Sequence, residues 1–264
     1  MIGRRALLGG AAALGVGAAG WALAPPDVRW RARSAVGLTP EPFVPDAAEG
    51  RVSLERVSSV HLGDIDLVTA VPDGYGDGAG LPVVVVLHGA SASAAALRGF
   101  GLARFVTAAV EAGAPPFVVA GTDDGPAGWL PADGLDPQAM LREELPQWLA
   151  DRGFGDRRAL WGWSRGGYGA LRFVETEPDW ASGLALFSPA LHPGDEALAD
   201  LSALEELPWG LWCGDGDPFR DGADALLAAA PPPAREVAGE GGHTRVYWNE
   251  HTIDMLRWLT TTFA

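Results

Sequence analysis

The stretch that decides the fold is Gly162-Trp163-Ser164-Arg165-Gly166. It fits the pattern Gly-x-Ser-x-Gly, in which a serine lies on a very tight turn between a strand and a helix. Side chains two residues before and two residues after that serine would collide, so both positions require glycine. Residues 157–161 are typical of a strand, and residues 166–177 are typical of a helix that ends before Pro178. The pattern and its setting together predict that Ser164 is a nucleophile.

The segments on either side of this turn alternate between strand and helix patterns. Residues 52–62 and 64–71 alternate polar and apolar side chains, which predicts an antiparallel hairpin at a sheet edge. The apolar run 82–87 is typical of a parallel strand that is buried on both faces. The other predicted elements are a helix at 92–112, a strand at 117–121, a helix at 136–149, strands at 183–187 and 209–213, a helix at 223–230, a strand at 235–237 and a helix at 247–262. This order predicts one α/β domain with a doubly wound, mostly parallel sheet over residues 51–264.

The connection between the strands at 183–187 and 209–213 is short. It leaves room for one short helix, at about residues 197–205. We therefore expect no large lid domain and a fairly open site.

Composition excludes several classes of chemistry. The formal net charge is -15, and all 19 basic residues are arginine, so the chain has no lysine. A Ser-Lys dyad, a Schiff-base lysine and a P-loop lysine are therefore excluded. The acidic balance argues against nucleic-acid binding, which needs a basic surface. The single cysteine, Cys213, lies in an apolar run and is expected to be a buried filler. The 5 histidines are scattered, so we expect no metal site, and no motif implies a cofactor.

The first 24 residues have the pattern of an export segment. Arg4 and Arg5 precede an apolar run at 6–24, loosely resembling a twin-arginine signal. Cleavage and secretion, or retention as an anchor on the outer face of the cytoplasmic membrane, both fit this pattern. Association with the membrane or the cell envelope would then run through residues 1–24. Residues 25–50 are rich in proline and acidic residues, which predicts a linker or a strap on the domain surface.

The base that would activate Ser164 is expected after it in the chain, because this type of site follows the order serine, acid, histidine. His192 comes too early to leave an acid between it and the serine. His251 falls in the pattern of the last helix. His243 lies in a glycine-rich loop directly before that helix, and we predict that it is the general base.

The acid that orients this histidine is expected on the loop after the strand at 209–213. Two aspartates compete there, Asp215 and Asp217. We favour Asp217, because Pro218 stiffens the backbone at that position. Asp215 is expected to stabilise a turn or cap the next helix.

The oxyanion hole requires two backbone N–H groups. One comes from the residue after the nucleophile, which is Arg165, and the other from the loop after the third strand. Ala90 is the expected donor on that loop, with Gly89 and Ser91 as neighbours. His88 is expected to brace the loop rather than to act as a second base.

These residues together resemble the Putative esterase family of α/β-hydrolases, which includes esterase D (S-formylglutathione hydrolase) and the mycobacterial antigen 85 mycolyltransferases. The resemblance extends to an exported actinobacterial branch in which a methionine often stands where this chain has Arg165. The matching segments are LHGA at 87–90, DP..MLREELPQWL at 136–149, GWSRGGYGAL at 162–171, SPAL at 188–191, CGDGDPF at 213–219 and GGHTRVYW at 241–248.

The resemblance implies an α/β-hydrolase fold and a serine carboxylic-ester hydrolase that works through an acyl-enzyme. Its substrate would be a small-molecule or lipid ester, and the Arg165 cation would admit acidic or phosphorylated substrates at the rim. Trp129 and Trp163 are candidates for lining the substrate pocket, with core packing as the alternative. Two other functions remain open: an acyltransferase of the cell envelope, resembling the mycolyltransferases, and an inactive hydrolase fold that serves as a binding module.

Overall fold

The computed structural model describes residues 28–29, 32–33 and 40–264, so the predicted export segment at 1–24 lies outside the described residues. Strands of the described chain form one eight-stranded sheet in the order β1-β2-β4-β3-β5-β6-β7-β8. Their bounds are Arg51–Ser59 (β1), Gly63–Val71 (β2), Val83–Leu87 (β3), Val118–Thr122 (β4), Arg158–Trp163 (β5), Leu184–Phe187 (β6), Trp209–Trp212 (β7) and Arg235–Val237 (β8).

The pairing of the strands confirms the predicted sheet. β1 and β2 form an antiparallel hairpin, and β2 pairs antiparallel with β4. All neighbours from β4 through β3 to β8 are parallel. The carboxyl ends of these parallel strands meet at one edge, where the site of such a fold lies.

Helices cover both faces of the sheet. Their bounds are Ala94–Gly99 (α1), Leu102–Glu111 (α2), the consecutive segments Pro137–Ala139, Met140–Glu144 and Leu145–Asp151 (together α3), Arg165–Thr176 (α4), Arg220–Ala229 (α5) and Arg245–Leu259 (α6). Alternate residues of β3 point to opposite faces, as the period of a strand requires. Val84 and Val86 pack with α1, α2 and α6, whereas Val83 and Val85 pack with α3, α4 and α5. No helix within the described ranges is long and apolar enough to span a membrane.

Two helices differ from their predictions. The single helix expected at 92–112 is divided into α1 and α2, because Gly101 adopts a left-handed conformation with φ 80°. The Cα of Gly101 also lies against residues 40–50, the described part of the predicted strap. A Cβ on Gly101 would come within 2.6 Å of Val44 Cγ1. The middle segment of α3 is a π-helix that ends at Glu144, two residues before Pro146. Proline lacks an N–H and its ring clashes with the carbonyl four residues earlier, and the wider turn relieves that clash.

The connection between β6 and β7 holds no lid domain. The short helix predicted at 197–205 is replaced by two 3₁₀ turns, Glu196–Leu198 and Ser202–Leu204. Residues 40–50, the described end of the predicted linker, run across α1, α2 and α6. Asn249 Nδ2 donates to the carbonyl of Phe43 at 2.7 Å, and the Phe43 ring packs edge-on against Phe105.

Candidate active site

Ser164 lies on a strained turn between β5 and α4. Its backbone has φ 56° and ψ -123°, a conformation that a non-glycine residue rarely adopts. A Cβ on Gly162 would overlap the carbonyl of Gly166, and a Cβ on Gly166 would overlap the carbonyl of Leu87. The steric reason for both glycines, inferred from the sequence, therefore holds in the structure. The turn lifts the Ser164 hydroxyl above the carboxyl ends of the strands.

The structure brings Ser164, His243 and Asp217 into one hydrogen-bonded row. His243 Nε2 lies 2.8 Å from Ser164 Oγ. His243 Nδ1 lies 3.0 Å and 3.1 Å from the two carboxylate oxygens of Asp217. The Asp217 side chain is fully buried, while the His243 side chain is 23% exposed. A buried carboxylate on Nδ1 fixes the imidazole tautomer that leaves Nε2 free to accept a proton from the serine.

Backbone contacts between two loops hold the acid and the histidine in this geometry. The Gly216 N–H donates to the carbonyl of Gly241 at 2.8 Å. A Cβ on Gly214 would come within 2.6 Å of the same carbonyl, so the two loops pack backbone to backbone. Asp217 also accepts from the N–H of Phe219 at 2.9 Å, which orients its carboxylate.

The competing residues lie elsewhere. The Asp215 side chain is 50% exposed and its nearest cation is Arg220, at 3.9 Å. It lies in a turn and does not cap α5, whose N-cap residue is Phe219. His192 is exposed on the loop after β6, and His251 lies within α6, packed on Tyr247. Burial lowers the pKa of His251.

The loop that carries one predicted oxyanion donor lies beside Ser164, since a Cβ on Gly89 would come within 3.2 Å of Ser164 Cβ. The backbone N–H groups of Ala90 and Arg165 donate to no acceptor in the part of the chain that the structure describes. Beneath this loop His88 is 1% exposed, and its Nδ1 donates to the carbonyl of Gly89 at 2.9 Å. His88 therefore braces the loop, as its sequence position suggests.

Asp124 is a residue that the sequence reasoning missed. Its carboxylate forms an ion pair with the Arg165 guanidinium and lies 3.9 Å from His88 Nε2. Burial raises the pKa of Asp124, while the charges of His88 and Arg165 oppose that rise. The expectation that Arg165 presents a cation to acidic substrates is therefore corrected, because this carboxylate neutralises it. The signal was the pair Asp123-Asp124 directly after β4, where polar residues face the site.

The two tryptophans proposed for substrate contact have different environments. Trp129 is 1% exposed, its Nε1 donates to the carbonyl of His88 at 2.9 Å, and its side chain packs on Gly169. This placement does not support a pocket-lining role for Trp129, since its indole supports the oxyanion loop from below. Trp163 precedes the nucleophile and lines a cavity beside it.

Aromatic side chains enclose the His243 ring, and the sequence reasoning missed them. Phe219 packs edge-on at 5.0 Å between ring centroids, and Trp248 packs edge-on at 4.9 Å. Trp248 Nε1 donates to Ser188 Oγ at 3.0 Å, which fixes its orientation. Two apolar walls limit the rotation of the imidazole and exclude water from one side. The only sequence signal was their short separation from Asp217 and His243.

The cysteine lies outside the hydrogen-bonded row at Ser164. Cys213 is buried, and burial raises the pKa of Cys213 to about 12, so its thiol stays protonated and unreactive. Among the residues that the structure describes, no group of three His, Cys, Asp or Glu side chains is arranged to hold a metal ion.

Comparison with known proteins identifies the family of the chain. The family model described as Putative esterase matches residues 58–238, which is more than half of the chain. No curated protein matches the chain in sequence.

Solved structures share the fold at low sequence identity. A ferulic acid esterase has a TM-score of 0.72 at 20% identity, over 81% of this chain and 98% of that one. An S-formylglutathione hydrolase from Agrobacterium tumefaciens has a TM-score of 0.66 at 18% identity, over 84% of this chain and 99% of that one. The fluorophosphonate-binding serine hydrolase F of Staphylococcus aureus has a TM-score of 0.65 at 15% identity, over 80% of this chain and 98% of that one. The chain belongs to the Putative esterase family and is a serine esterase with the α/β-hydrolase fold.

Proposed function

We propose that this esterase hydrolyses carboxylic esters through a Ser164–His243–Asp217 triad and an acyl-enzyme intermediate. One observation carries the proposal: the His243 ring spans the gap between a serine hydroxyl at 2.8 Å and a buried carboxylate at 3.0 Å. This is the arrangement in which an imidazole can remove the serine proton and keep the resulting positive charge stabilised.

The first half-reaction acylates the serine. His243 Nε2 takes the proton as Ser164 Oγ attacks the ester carbonyl, and the carbonyl oxygen becomes negatively charged. The N–H groups of Ala90 and Arg165 are the proposed donors to this oxyanion. His243 then returns the proton to the departing alkoxide, which leaves as the alcohol. Each oxyanion donor is worth about 3 kcal/mol of transition-state stabilisation.

The second half-reaction releases the acid. Water takes the place of the alcohol, and its oxygen attacks the acyl carbon as His243 Nε2 removes its proton. The new oxyanion collapses, the bond from the acyl carbon to Ser164 Oγ breaks, and His243 returns the proton to Ser164 Oγ. The products are a carboxylic acid and the regenerated serine. Asp217 stays ionised throughout, because its role is to stabilise the imidazolium and to hold its orientation.

The substrates that we propose are small carboxylic esters. No lid domain stands between β6 and β7 to shield the site. The titles of structural neighbours name a ferulic acid esterase and an S-formylglutathione hydrolase, which makes esters of ferulic acid and thioesters reasonable first substrates to test.

A cell-envelope acyltransferase would use the same first half-reaction and differ only in the acceptor. Adding a sugar or glycerol acceptor to the assay separates the two functions, because a transferase forms a new ester while a hydrolase forms the free acid. A binding module would show neither product. The complete hydrogen-bonded row at Ser164 favours an enzyme over a binding module.

The test is the hydrolysis of p-nitrophenyl esters from acetate to palmitate by the full chain. Ser164→Ala and His243→Ala are each expected to abolish turnover, with Ser58→Ala at an exposed position on β1 as the matched control that keeps it. The chain-length optimum would measure the acyl pocket. Turnover that survives in Ser164→Ala would refute the proposal.

We also propose that the protein is exported, on the basis of the charged and apolar pattern of residues 1–24. Fractionation of cells that express the full chain tests this, with Arg4→Gln/Arg5→Gln as the comparison. Export predicts protein outside the cytoplasm that the double variant loses. Equal cytoplasmic retention of both forms would contradict it.

A further inference from the structure

A narrow apolar cavity lies beside the proposed catalytic residues. Its volume is about 40 Å³, and it lies between α1 and α2 on one side and α6 on the other, next to β5. Trp163, the neighbour of Ser164, and Trp248, which packs on His243, form its wall on the catalytic side. Leu97 and Phe105 line the opposite wall. An aliphatic or aromatic arm of a substrate held at Ser164 would find apolar contacts there.

Arg245 is the only charged side chain that borders this cavity among the described residues. Its guanidinium lies over the Phe100 ring, 4.2 Å from the centroid, and its Nη2 donates to the Phe100 carbonyl at 3.3 Å. Its Nε is buried and has no hydrogen-bond partner in the described part of the chain. Burial lowers the pKa of Arg245, and no carboxylate of a described residue lies close enough to oppose that effect.

This lack of a carboxylate partner distinguishes Arg245 from the other arginine near the site. Arg165 is paired with Asp124. Arg245 forms no ion pair with any described residue, although the formal net charge of the chain is -15. The helix dipole does not stabilise the Arg245 cation either, because Arg245 lies in the first turn of α6, where the dipole disfavours a positive charge. A partly desolvated cation without a counter-ion costs free energy, and an anionic ligand would recover that cost.

We propose that Arg245 binds a carboxylate on the substrate, so that the esterase prefers esters whose apolar arm ends in a negative charge. This inference rests on the proposed function and names its substrate class. The apolar walls accept the arm, and the guanidinium, with most of its five N–H donors unused, accepts the carboxylate. In a protein with a strongly negative total charge, such a local cation is what allows an anion to approach.

The kinetic test compares matched esters with and without the charge. On the acyl side the pair is the mono-4-nitrophenyl ester of adipic acid and 4-nitrophenyl hexanoate. On the alcohol side it is 3-(4-acetoxyphenyl)propionate and 4-propylphenyl acetate. Arg245→Gln is expected to lower kcat/KM for the charged ester of at least one pair about tenfold, through KM, and to leave the neutral esters within about twofold. High salt should weaken the wild-type preference and leave the variant unchanged.

Two controls separate recognition from structure and from total charge. Arg235→Gln removes the same charge from an exposed position on β8 and is expected to leave the ratio unchanged. If Arg245 only braces α6 against Phe100, Arg245→Gln will lower the rates of charged and neutral esters alike and will lower Tm. That result, an unchanged ratio in both pairs, or an equal shift in Arg235→Gln would overturn the proposal.

A binding measurement keeps this inference separate from the proposed function. In the Ser164→Ala protein, 3-phenylpropionate is titrated against tryptophan fluorescence, with 3-phenyl-1-propanol as the neutral comparison. Tighter binding of the carboxylate that Arg245→Gln removes would support the site even if no ester is turned over. Equal binding of both ligands would contradict it, whatever the esterase assay shows.

Discussion

At the residue scale, Asp217 and Asp215 provide the sharpest contrast, because they stand two residues apart and have opposite environments. Asp217 is buried against His243, and Asp215 faces solvent. Asp217→Asn is expected to lower kcat by about 10³–10⁴-fold, since the amide would support the wrong imidazole tautomer. Asp215→Asn should stay within about twofold. Steady-state kinetics on one p-nitrophenyl ester measures both, and the reverse pattern would mean that the acid is misassigned.

The sequence predicted individual residues where a local pattern carries the information. Ser164, His243 and Asp217 follow from a turn motif and a chain order, and the structure brings all three together. Asp124 could not be found this way because its partners, His88 and Arg165, lie far from it in the chain. Trp248 stands close to His243 in the chain, but no local pattern shows that its ring packs on that imidazole. The sequence offers Trp129 as a candidate for the pocket or for the core, and only the packing of three segments shows that its indole is buried beneath the oxyanion loop.

At the element scale, the division between α1 and α2 depends on one glycine. Gly101 has φ 80° and packs against Val44 of the strap, so a side chain there meets both strain and a clash. Gly101→Ala is expected to lower the free energy of unfolding by about 1–3 kcal/mol. Gly99→Ala is the matched control: this glycine is helical, nothing lies within 4 Å of an added Cβ, and the variant should be slightly more stable.

Urea unfolding measures both variants. If Gly101→Ala is as stable as the wild type, the left-handed glycine is not what divides the helix.

The existence of each strand and most helices could be predicted, because buried strands and amphipathic helices leave strong periodic patterns. The division at Gly101 could not, since the apolar pattern of 92–112 runs through it and the strap that occupies the space comes from residues 40–50. Pro146 is a sequence signal for the π segment of α3, because a proline inside a helix disturbs the regular turn before it. The continuous amphipathic pattern of 136–149 nevertheless predicts one regular helix.

At the scale of the whole molecule, Glu175 makes stability depend on pH. It lies on α4, paired with Arg172 at 2.9 Å, and burial raises its pKa to about 7 from an ordinary 4.5. The folded state thus binds this proton more tightly than the unfolded state does. The contribution of the Glu175 carboxyl group to the stability of the fold is therefore greatest below about pH 4.5 and is lost as the pH rises through 7.

Glu175→Gln removes the loss of folding stability at high pH, because glutamine does not ionise. We expect its Tm at pH 8.5 to exceed that of the wild type by about 2–4 °C, and the difference to shrink at pH 5. The exposed Glu111→Gln removes the same charge and should change Tm equally at both pH values. Thermal unfolding followed by circular dichroism decides this, and a Glu175→Gln effect that does not vary with pH would be inconsistent with a raised pKa.

The whole molecule also shows why this site works as a unit. β5 supplies the nucleophile, the loop after β7 the acid, and the loop before α6 the base, and the parallel sheet brings these three carboxyl-end connections to one edge. The family and the sheet could be predicted from motifs in order along the chain. The neutralised Arg165 and the unpaired Arg245 could not, because the charge balance around a side chain is a property of the folded surface.

Covalent labelling by a fluorophosphonate identifies the nucleophile of the esterase directly. The full chain is incubated with the reagent, digested and mapped by mass spectrometry, alongside Ser164→Ala. The account predicts one phosphonyl group per chain, carried by Ser164, with loss of esterase activity in proportion to labelling and no adduct in the variant. An adduct on another residue, or esterase activity that survives complete labelling of Ser164, would contradict it.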